Sequence, residues 1–176
     1  MCKLRLEFRT AKEEDIDHLE YLEKECFEPE LQASKEIMLA RMRHSPEGFF
    51  IAFIDDKPVG YLCAMFVNDE HIEKLPEKVK ENAIIDMNVP KGDNLHLISL
   101  GIIEEKRKYQ GGKVITGLNA LLDNLIAEMK PKQFVIVPET TYGHGYSDRI
   151  GYDFEKELDF VNSQGYRARL RIKNLQ

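Results

Sequence analysis

The run from Leu95 to Ile103 is apolar on both of its alternating faces, and this constrains the fold more than any other feature of the chain. A strand with two apolar faces has to lie inside a sheet that is covered on both sides. The segment after this run is equally restrictive. Arg107-Lys108-Tyr109-Gln110-Gly111-Gly112-Lys113 leads into a helix that opens near Gly111. In that helix Val114, Leu118, Leu121, Leu122, Leu125 and Met129 share one face, which Ile115 and Ile126 widen. A strand, a basic glycine-containing turn and a helix N-terminus make a place to hold a phosphate. The first N–H groups of a helix lack intrahelical partners, and the helix dipole favours negative charge there. Glycines admit a bulky anion close to the backbone, and Arg107, Lys108 and Lys113 add charge. An ordinary solvated connection would use the same residues, and the local pattern does not choose between the two.

The rest of the chain supplies the elements around this centre. Leu4, Leu6 and Phe8 alternate with Arg5, Glu7 and Arg9, which predicts a first strand. Thr10 and Glu13 have the spacing of a capping box for a helix striped by Ile16, Leu19, Leu22 and Cys26, ended by Phe27-Glu28-Pro29. Ser34 precedes a second helix to about His44, broken by Pro46-Glu47-Gly48. Phe49 to Ile54 and Val59 to Val67, joined by Asp55-Asp56-Lys57-Pro58, read as a hairpin. Asn68 to Asp93 is polar and carries Pro76, Pro90 and Gly92; it reads as a long connection with a short helix near Pro76 to Asn82. Pro131 stops the long helix, and Phe134 to Val137 is a short buried strand. Pro138 to Tyr152 has no period and reads as a loop, and Asp153 to Gln164 reads as a helix capped by Gly165. Ala168, Leu170 and Ile172 alternate with Arg167, Arg169 and Arg171 in a last strand. With no repeat and no linker, residues 1–176 are expected to form a single α/β domain.

Composition removes several classes of function. A net charge of −6 argues against nucleic acid as a partner. No apolar run is long enough to span a bilayer, so no membrane partner is expected. Nothing at the start reads as a signal peptide, and Cys2, Cys26 and Cys63 are odd in number and unpaired in spacing, so the expected location is cytoplasmic. Lys113 is followed by Val114, which rules out a Walker loop, and no G-x-G-x-x-G or G-x-S-x-G occurs. His18, His44, His71, His96 and His144 show no ligand spacing, so no metal is expected.

The order of elements and the turn together resemble the GCN5-related N-acetyltransferases (GNAT), a family whose members bind acetyl coenzyme A. The family signature, R/Q-x-x-G-x-G/A, lies between the fourth strand and the third helix. Arg107-Lys108-Tyr109-Gln110-Gly111-Gly112 fits it, with Gln110 where the first glycine usually stands. The Phe49 to Val67 hairpin resembles the family's second and third strands, Ser99-Leu100-Gly101-Ile102 its fourth, and Gln164-Gly165-Tyr166 its closing Gly-Phe. In layout the chain is similar to the arylalkylamine N-acetyltransferase branch, through Phe27-Glu28-Pro29, Asn68-Asp69-Glu70 and Asn94 to Leu100. That branch has two histidines on this strand; His96 matches the first and Ile98 replaces the second.

The resemblance implies a GNAT-like acyl-CoA N-acyltransferase fold, a mixed and mostly antiparallel sheet flanked by helices. It implies acetyl transfer from acetyl-CoA to a primary amine by direct attack on the thioester, with no protein nucleophile. Leu100, Gly101 and Ile102 would lie along the cofactor, with an N–H near Leu100 as oxyanion donor, and Arg107 to Lys113 would hold the pyrophosphate. The amine must lose a proton, and His96 is the candidate base because an imidazole titrates near neutrality. The family often places a general-acid tyrosine four residues before the final glycine; counting back from Gly165 gives Val161. Tyr142, His144, Tyr146 and Tyr152 are substitutes, of which Tyr146 is taken as the candidate. Phe27, Glu28 and Tyr142 are the expected amine contacts. Three partner readings stay open: a small-molecule amine, a protein or peptide amine, or no acceptor at all in a non-catalytic acyl-CoA sensor. A homodimer is compatible with each.

Overall fold

A computed structural model describes residues 4–78, 91–109 and 111–176. Seven strands, β1 (Leu6–Thr10), β2 (Phe49–Ile54), β3 (Lys57–Val67), β4 (Asn94–Ile102), β5 (Gln133–Ile136), β6 (Phe154–Val161) and β7 (Arg167–Asn174), form one sheet in the order β1-β2-β3-β4-β5-β7-β6. β4 and β5 pair in parallel, while β1–β2, β2–β3, β5–β7 and β6–β7 are antiparallel. The helices are α1 (Ile16–Cys26), α2 (Lys35–His44), α3 (Asp69–Lys78), α4 (Glu104–Tyr109), α5 (Gly111–Met129) and α6 (Thr141–Ile150). This is the mixed, mostly antiparallel sheet with flanking helices that the resemblance implied.

The chain divides into two compact units, and β3 and β4 run through both. The first comprises Met1–Ala64 and Ser99–Met129. Its centre is β2, buried at every position, and α5 packs on β1 and β2 through the stripe that includes Val114, Leu118 and Leu122. The second comprises Met65–Ile98 and Lys130–Gln176. Its core is Met65, Val67, Ile72, Leu75, Val135, Leu158, Ala168 and Leu170.

Six expectations are corrected. Thr10 ends β1 and does not cap α1; Asp15 stands at the helix's N-cap position without a side-chain capping bond to it, and its carboxylate instead closes the preceding turn Glu13–Asp15, accepting the Lys12 N–H at 2.8 Å and a bidentate pair from Arg9 at 2.7 and 2.8 Å. The polar connection contains a helix earlier than expected, at Asp69–Lys78, opened by the Asn68 side chain accepting the His71 N–H at 2.9 Å. Pro76 lies inside that helix, and Asn82 lies outside the described residues. Pro138 to Tyr152 is not a loop: Thr140 caps α6 by accepting the Gly143 N–H at 3.1 Å. Asp153 to Gln164 is a strand, not a helix. Phe154, Leu158 and Val161 have helical spacing, but β7 sets Glu155 opposite Arg171 and Glu157 opposite Arg169, and the ladder with its ion pairs wins. Gly165 is therefore not a helix cap; its φ of +82° serves the β6–β7 turn. Finally, the basic stretch is not all turn. Glu104 to Tyr109 form α4, with Glu104 and Glu105 at its positive end and the basic residues after them.

Candidate functional site

In the first unit the end of β4 is tightly lined. A Cβ on Gly101 would lie 2.9 Å from the Tyr61 ring and 3.0 Å from Cys26, so only glycine lets Tyr61 and α1 close on this strand. The Ile103 N–H donates to the Val59 carbonyl at 3.0 Å, and Lys106 and Arg107 N–H groups donate to the Ile103 carbonyl at 3.0 and 3.1 Å, which starts α4. Arg107 Nε donates to the Ile102 carbonyl at 2.6 Å, so part of its guanidinium ties α4 to the strand. Lys108 and Tyr109 complete α4, Gln110 lies outside the described residues, and Gly111 and Gly112 open α5. A Cβ at Gly112 would meet nothing within 4 Å. Gly112 and Lys113 are exposed. The first turn of α5 thus offers unshielded backbone beside a lysine.

The same unit holds a buried polar cluster that pattern reading missed. Glu23 on α1 is 2% exposed. Its Oε1 accepts the Ala33 N–H at 2.8 Å and its Oε2 accepts the Tyr61 hydroxyl. Burial raises the proton affinity of Glu23, against the two hydrogen bonds and the nearby Arg41, which lower it. Burial pushes the Cys63 thiol up to about 12, against Arg41, and the Cys26 thiol up to about 12, against Arg107. Phe27, at the end of α1, meets the Tyr61 ring edge-on at 6.5 Å between centroids. Glu28 precedes the short turn Pro29–Leu31. The sequence signal for Glu23 was weak: it continues the apolar stripe of α1 between Leu19, Leu22 and Cys26, where an acidic residue should be exposed.

In the second unit His96 is 1% exposed on β4, beside Val135 of β5. Its Nδ1 lies 3.4 Å from Nε2 of His71, which is 5% exposed on α3. Asn94, two residues before His96, donates to Asp69 at 2.7 Å. His71 was hidden by reading its segment as a connection; Asn68 followed by Asp69 and Glu70, then Ile72 and Leu75 three apart, was the available helix signal. On α6, Tyr146 is buried at 5% exposure and Tyr142, one turn before it, is 66% exposed. Tyr152 lies under the Arg171 guanidinium at 4.4 Å, a packing contact. His144 contacts the Arg167 carbonyl at 3.1 Å, and burial lowers its proton affinity. Val161 is 47% exposed on the edge strand β6 opposite Arg167, so counting back from Gly165 arrives at a solvent-facing position. Among the described residues no helix is long and apolar enough to cross a membrane.

No family model matches the chain. Two curated Bacillus subtilis (strain 168) proteins are similar to it. An uncharacterized N-acetyltransferase, YkwB, is 28% identical over 114 residues, 61% of this chain and 50% of that protein. A probable hydrolase, YhcX, is 23% identical over 148 residues, 83% of this chain and 28% of that protein. The chain therefore spans half or less of the length of these relatives. Solved structures align over nearly the whole chain. The loading GNATL domain of CurA from Lyngbya majuscula gives a TM-score of 0.73 at 20% identity, covering 98% of both chains. The GphF GNAT-like decarboxylase in complex with isobutyryl-CoA gives 0.67 at 18% identity, covering 97% of this chain and 100% of that one. The PaiA N-acetyltransferase from Thermoplasma acidophilum in complex with coenzyme A gives 0.63 at 15% identity, covering 97% and 99%. The fold is that of the GCN5-related N-acetyltransferases.

Proposed function

We propose that residues 1–176 act as one catalytic domain in the cytoplasm, an N-acetyltransferase that moves the acetyl group of acetyl-CoA onto a primary amine of the arylalkylamine type. The observation that carries this reading is the opening of α5. On a GNAT fold, the strand Leu100–Ile102 runs through α4 into a helix whose first turn is unobstructed at Gly112. We take that space to hold the pyrophosphate on the N–H groups of Gly111 to Lys113, with Arg107, Lys108, Tyr109 and Lys113 as the remaining contacts that the motif implies; Gln110 of the same motif lies outside the described residues. Acetyl-CoA supplies an activated thioester, so no protein nucleophile is needed. The N–H near Leu100 donates to the carbonyl oxygen as it gains negative charge, with Gly101 and Ile102 flanking it. An alkylammonium has a pKa of about 10, so near neutrality it arrives protonated. His96 takes that proton, and its Nδ1–H donates to Nε2 of His71, 3.4 Å away. Tyr146 protonates the departing thiolate, and Phe27, Glu28 and Tyr142 contact the amine. The N-acetyltransferase similarity to YkwB and the CoA-bound GNAT neighbours support the reading.

Acetyl-CoA consumption against a mixed panel of arylalkylamines, polyamines, amino acids and peptides tests it. Free thiol should appear with an arylalkylamine and scale with its concentration. Tight acetyl-CoA binding without turnover on any amine would make the protein a sensor instead.

A further inference from the structure

The chemistry proposed above does not use Glu23, yet this one buried residue binds both ends of the segment that follows its helix. Its main-chain carbonyl accepts the Phe27 N–H at 3.1 Å, where α1 ends, and its side-chain Oε1 accepts the Ala33 N–H at 2.8 Å. Residues 27–33 therefore leave from Glu23 and return to it. The segment is also closed from within, because Gln32 Nε2 donates to the Phe27 carbonyl at 2.8 Å. Between these ties the Leu31 N–H donates to the Glu28 carbonyl at 2.8 Å and holds Pro29–Leu31 as a single turn. Hydrogen bonds that join the ends and the middle make a compact loop rather than a loose connection. Ala33 at its end is buried, Phe27 at its start is half-buried, and the tip from Glu28 to Glu30 is exposed.

The second oxygen of Glu23 ties this loop to the sheet. Oε2 accepts the Tyr61 hydroxyl, and the Tyr61 ring meets Phe27 edge-on at 6.5 Å between centroids. The same ring lies against Gly101, where a Cβ would come within 2.9 Å of it. Tyr61 thus stands between the end of β4 and the first residue of the loop, with its hydroxyl fixed by the carboxylate. A leucine at position 23 would continue the apolar stripe of Ile16, Leu19 and Leu22 with no charge to desolvate. What only an acceptor-bearing side chain supplies here is a partner for two donors from different elements, one in the loop and one on β3.

We propose that Glu23 and Gln32 pre-organise residues 27–33 as the acceptor loop, Glu23 fixing the loop's place on the sheet and Gln32 its internal closure, so that Phe27 and Glu28 meet the amine already ordered. The idea rests on the N-acetyltransferase reading and adds the residues that hold its amine contacts in place. Neither residue touches the amine; both are positioning residues. A loop ordered before binding loses little further freedom when the amine arrives, whereas a loosened one must be ordered by the amine itself. The effect falls on the amine alone, because the turn proposed to hold the cofactor is built from other residues.

Two substitutions at Glu23 separate positioning from stability. Gln keeps both bonds, its oxygen accepting the Ala33 N–H and its NH2 donating to the Tyr61 oxygen, but it removes the charge that faces the buried Arg41 guanidinium. Leu fills much of the same space and accepts from neither donor. Both variants should therefore melt below wild type, and only one should lose the loop. The experiment uses the full chain with phenethylamine and acetyl-CoA. Glu23→Leu should raise the KM for phenethylamine about tenfold and keep the KM for acetyl-CoA within about twofold. Glu23→Gln should keep both constants near wild type despite its lower Tm. Gln32→Leu, which leaves the core untouched, should raise the KM for phenethylamine about threefold through the lost Phe27 tie. A wild-type amine KM in Glu23→Leu, an equal rise in Glu23→Gln, or a parallel rise in the acetyl-CoA KM would overturn the proposal while leaving the acetyltransferase reading intact. If Glu23→Leu does not fold, Gln32→Leu decides, and an unchanged amine KM there overturns it. A second measurement needs no turnover. Calorimetry of phenethylamine into protein with excess coenzyme A should show the same order of Kd, weakest in Glu23→Leu and retained in Glu23→Gln. If wild-type protein acetylates no amine, the enzymatic reading fails and this titration decides alone: no phenethylamine binding to wild type, or equal Kd in Glu23→Leu, refutes the acceptor loop.

Discussion

Replacing Gly112 with aspartate should stabilise the protein and abolish its grip on coenzyme A, and the opposite signs make the test sharp. A Cβ at this position meets nothing within 4 Å, so the side chain costs no packing. The residue sits in the first turn of the 19-residue α5. Leaving glycine for a side chain in a helix gains up to about 1 kcal/mol, less for Asp than for Ala. A carboxylate near the positive end of a helix dipole adds about 0.3–1 kcal/mol. For a chain of this size, each kcal/mol is worth about 2–4 °C in Tm. Against a bound pyrophosphate the same carboxylate is repulsive. Two unit charges about 5 Å apart at an effective dielectric of about 20 repel by about 3 kcal/mol, more than a hundredfold in Kd. Gly112→Ala separates the parts, since it raises Tm without the charge and should weaken binding only a few-fold, through its Cβ alone. Titration calorimetry with coenzyme A and scanning calorimetry of the apo proteins give the two numbers. Equal CoA affinity in wild type and Gly112→Asp would refute the pyrophosphate assignment. A lower Tm in both variants would refute the premise that the space beside Gly112 is open.

Other perturbations have equally definite outcomes. His96→Gln should lower kcat roughly tenfold to several hundredfold with acetyl-CoA affinity kept, and should remove the near-neutral limb of the pH–rate profile; a retained limb makes His96 structural. His71→Asn should shift that limb while costing less rate, as measured in the same profile. The Arg9 guanidinium is the main reason Asp15 sits below the usual carboxylate range, against burial, with the Lys12 N–H assisting. Its folded pKa is below its unfolded one, so the stabilisation is complete above the ordinary Asp value and fades as pH falls through the folded value. Asp15→Asn should therefore cost about 1–2 kcal/mol at pH 7, allowing for a half-exposed Arg9, and flatten the acid side of a urea-midpoint-against-pH curve. Gly117→Ala would put a Cβ 2.3 Å from the Phe8 ring. Overpacking of about 1–3 kcal/mol should outweigh the gain of about 1 in helix propensity, so Tm should fall, in contrast to Gly112→Ala.

Periodic segments were readable in the sequence because their partners scarcely mattered. The doubly apolar β4, the β2–β3 hairpin and the stripe of α5 follow from side-chain period alone, and with them came the central strand and the helix that opens at Gly111. The same reading placed His96 on β4 but gave no sign that another imidazole would meet it, because His71 reaches it across 25 residues of chain. Asp153 to Gln164 has a spacing that fits a helix, and its strand exists because β7 lays arginines opposite Glu155 and Glu157. Ser147 and Arg171 likewise bond to each other from α6 and β7, an arrangement no local pattern announces. Glu23 is the clearest case. Within α1 an acidic residue has every reason to face water, and only the Tyr61 hydroxyl from β3 and the Ala33 N–H from the next loop make its burial affordable. Local period determines which face of an element is apolar. Hydrogen-bond partners for buried polar groups come from other elements, so the polar half of the site was decided by tertiary structure.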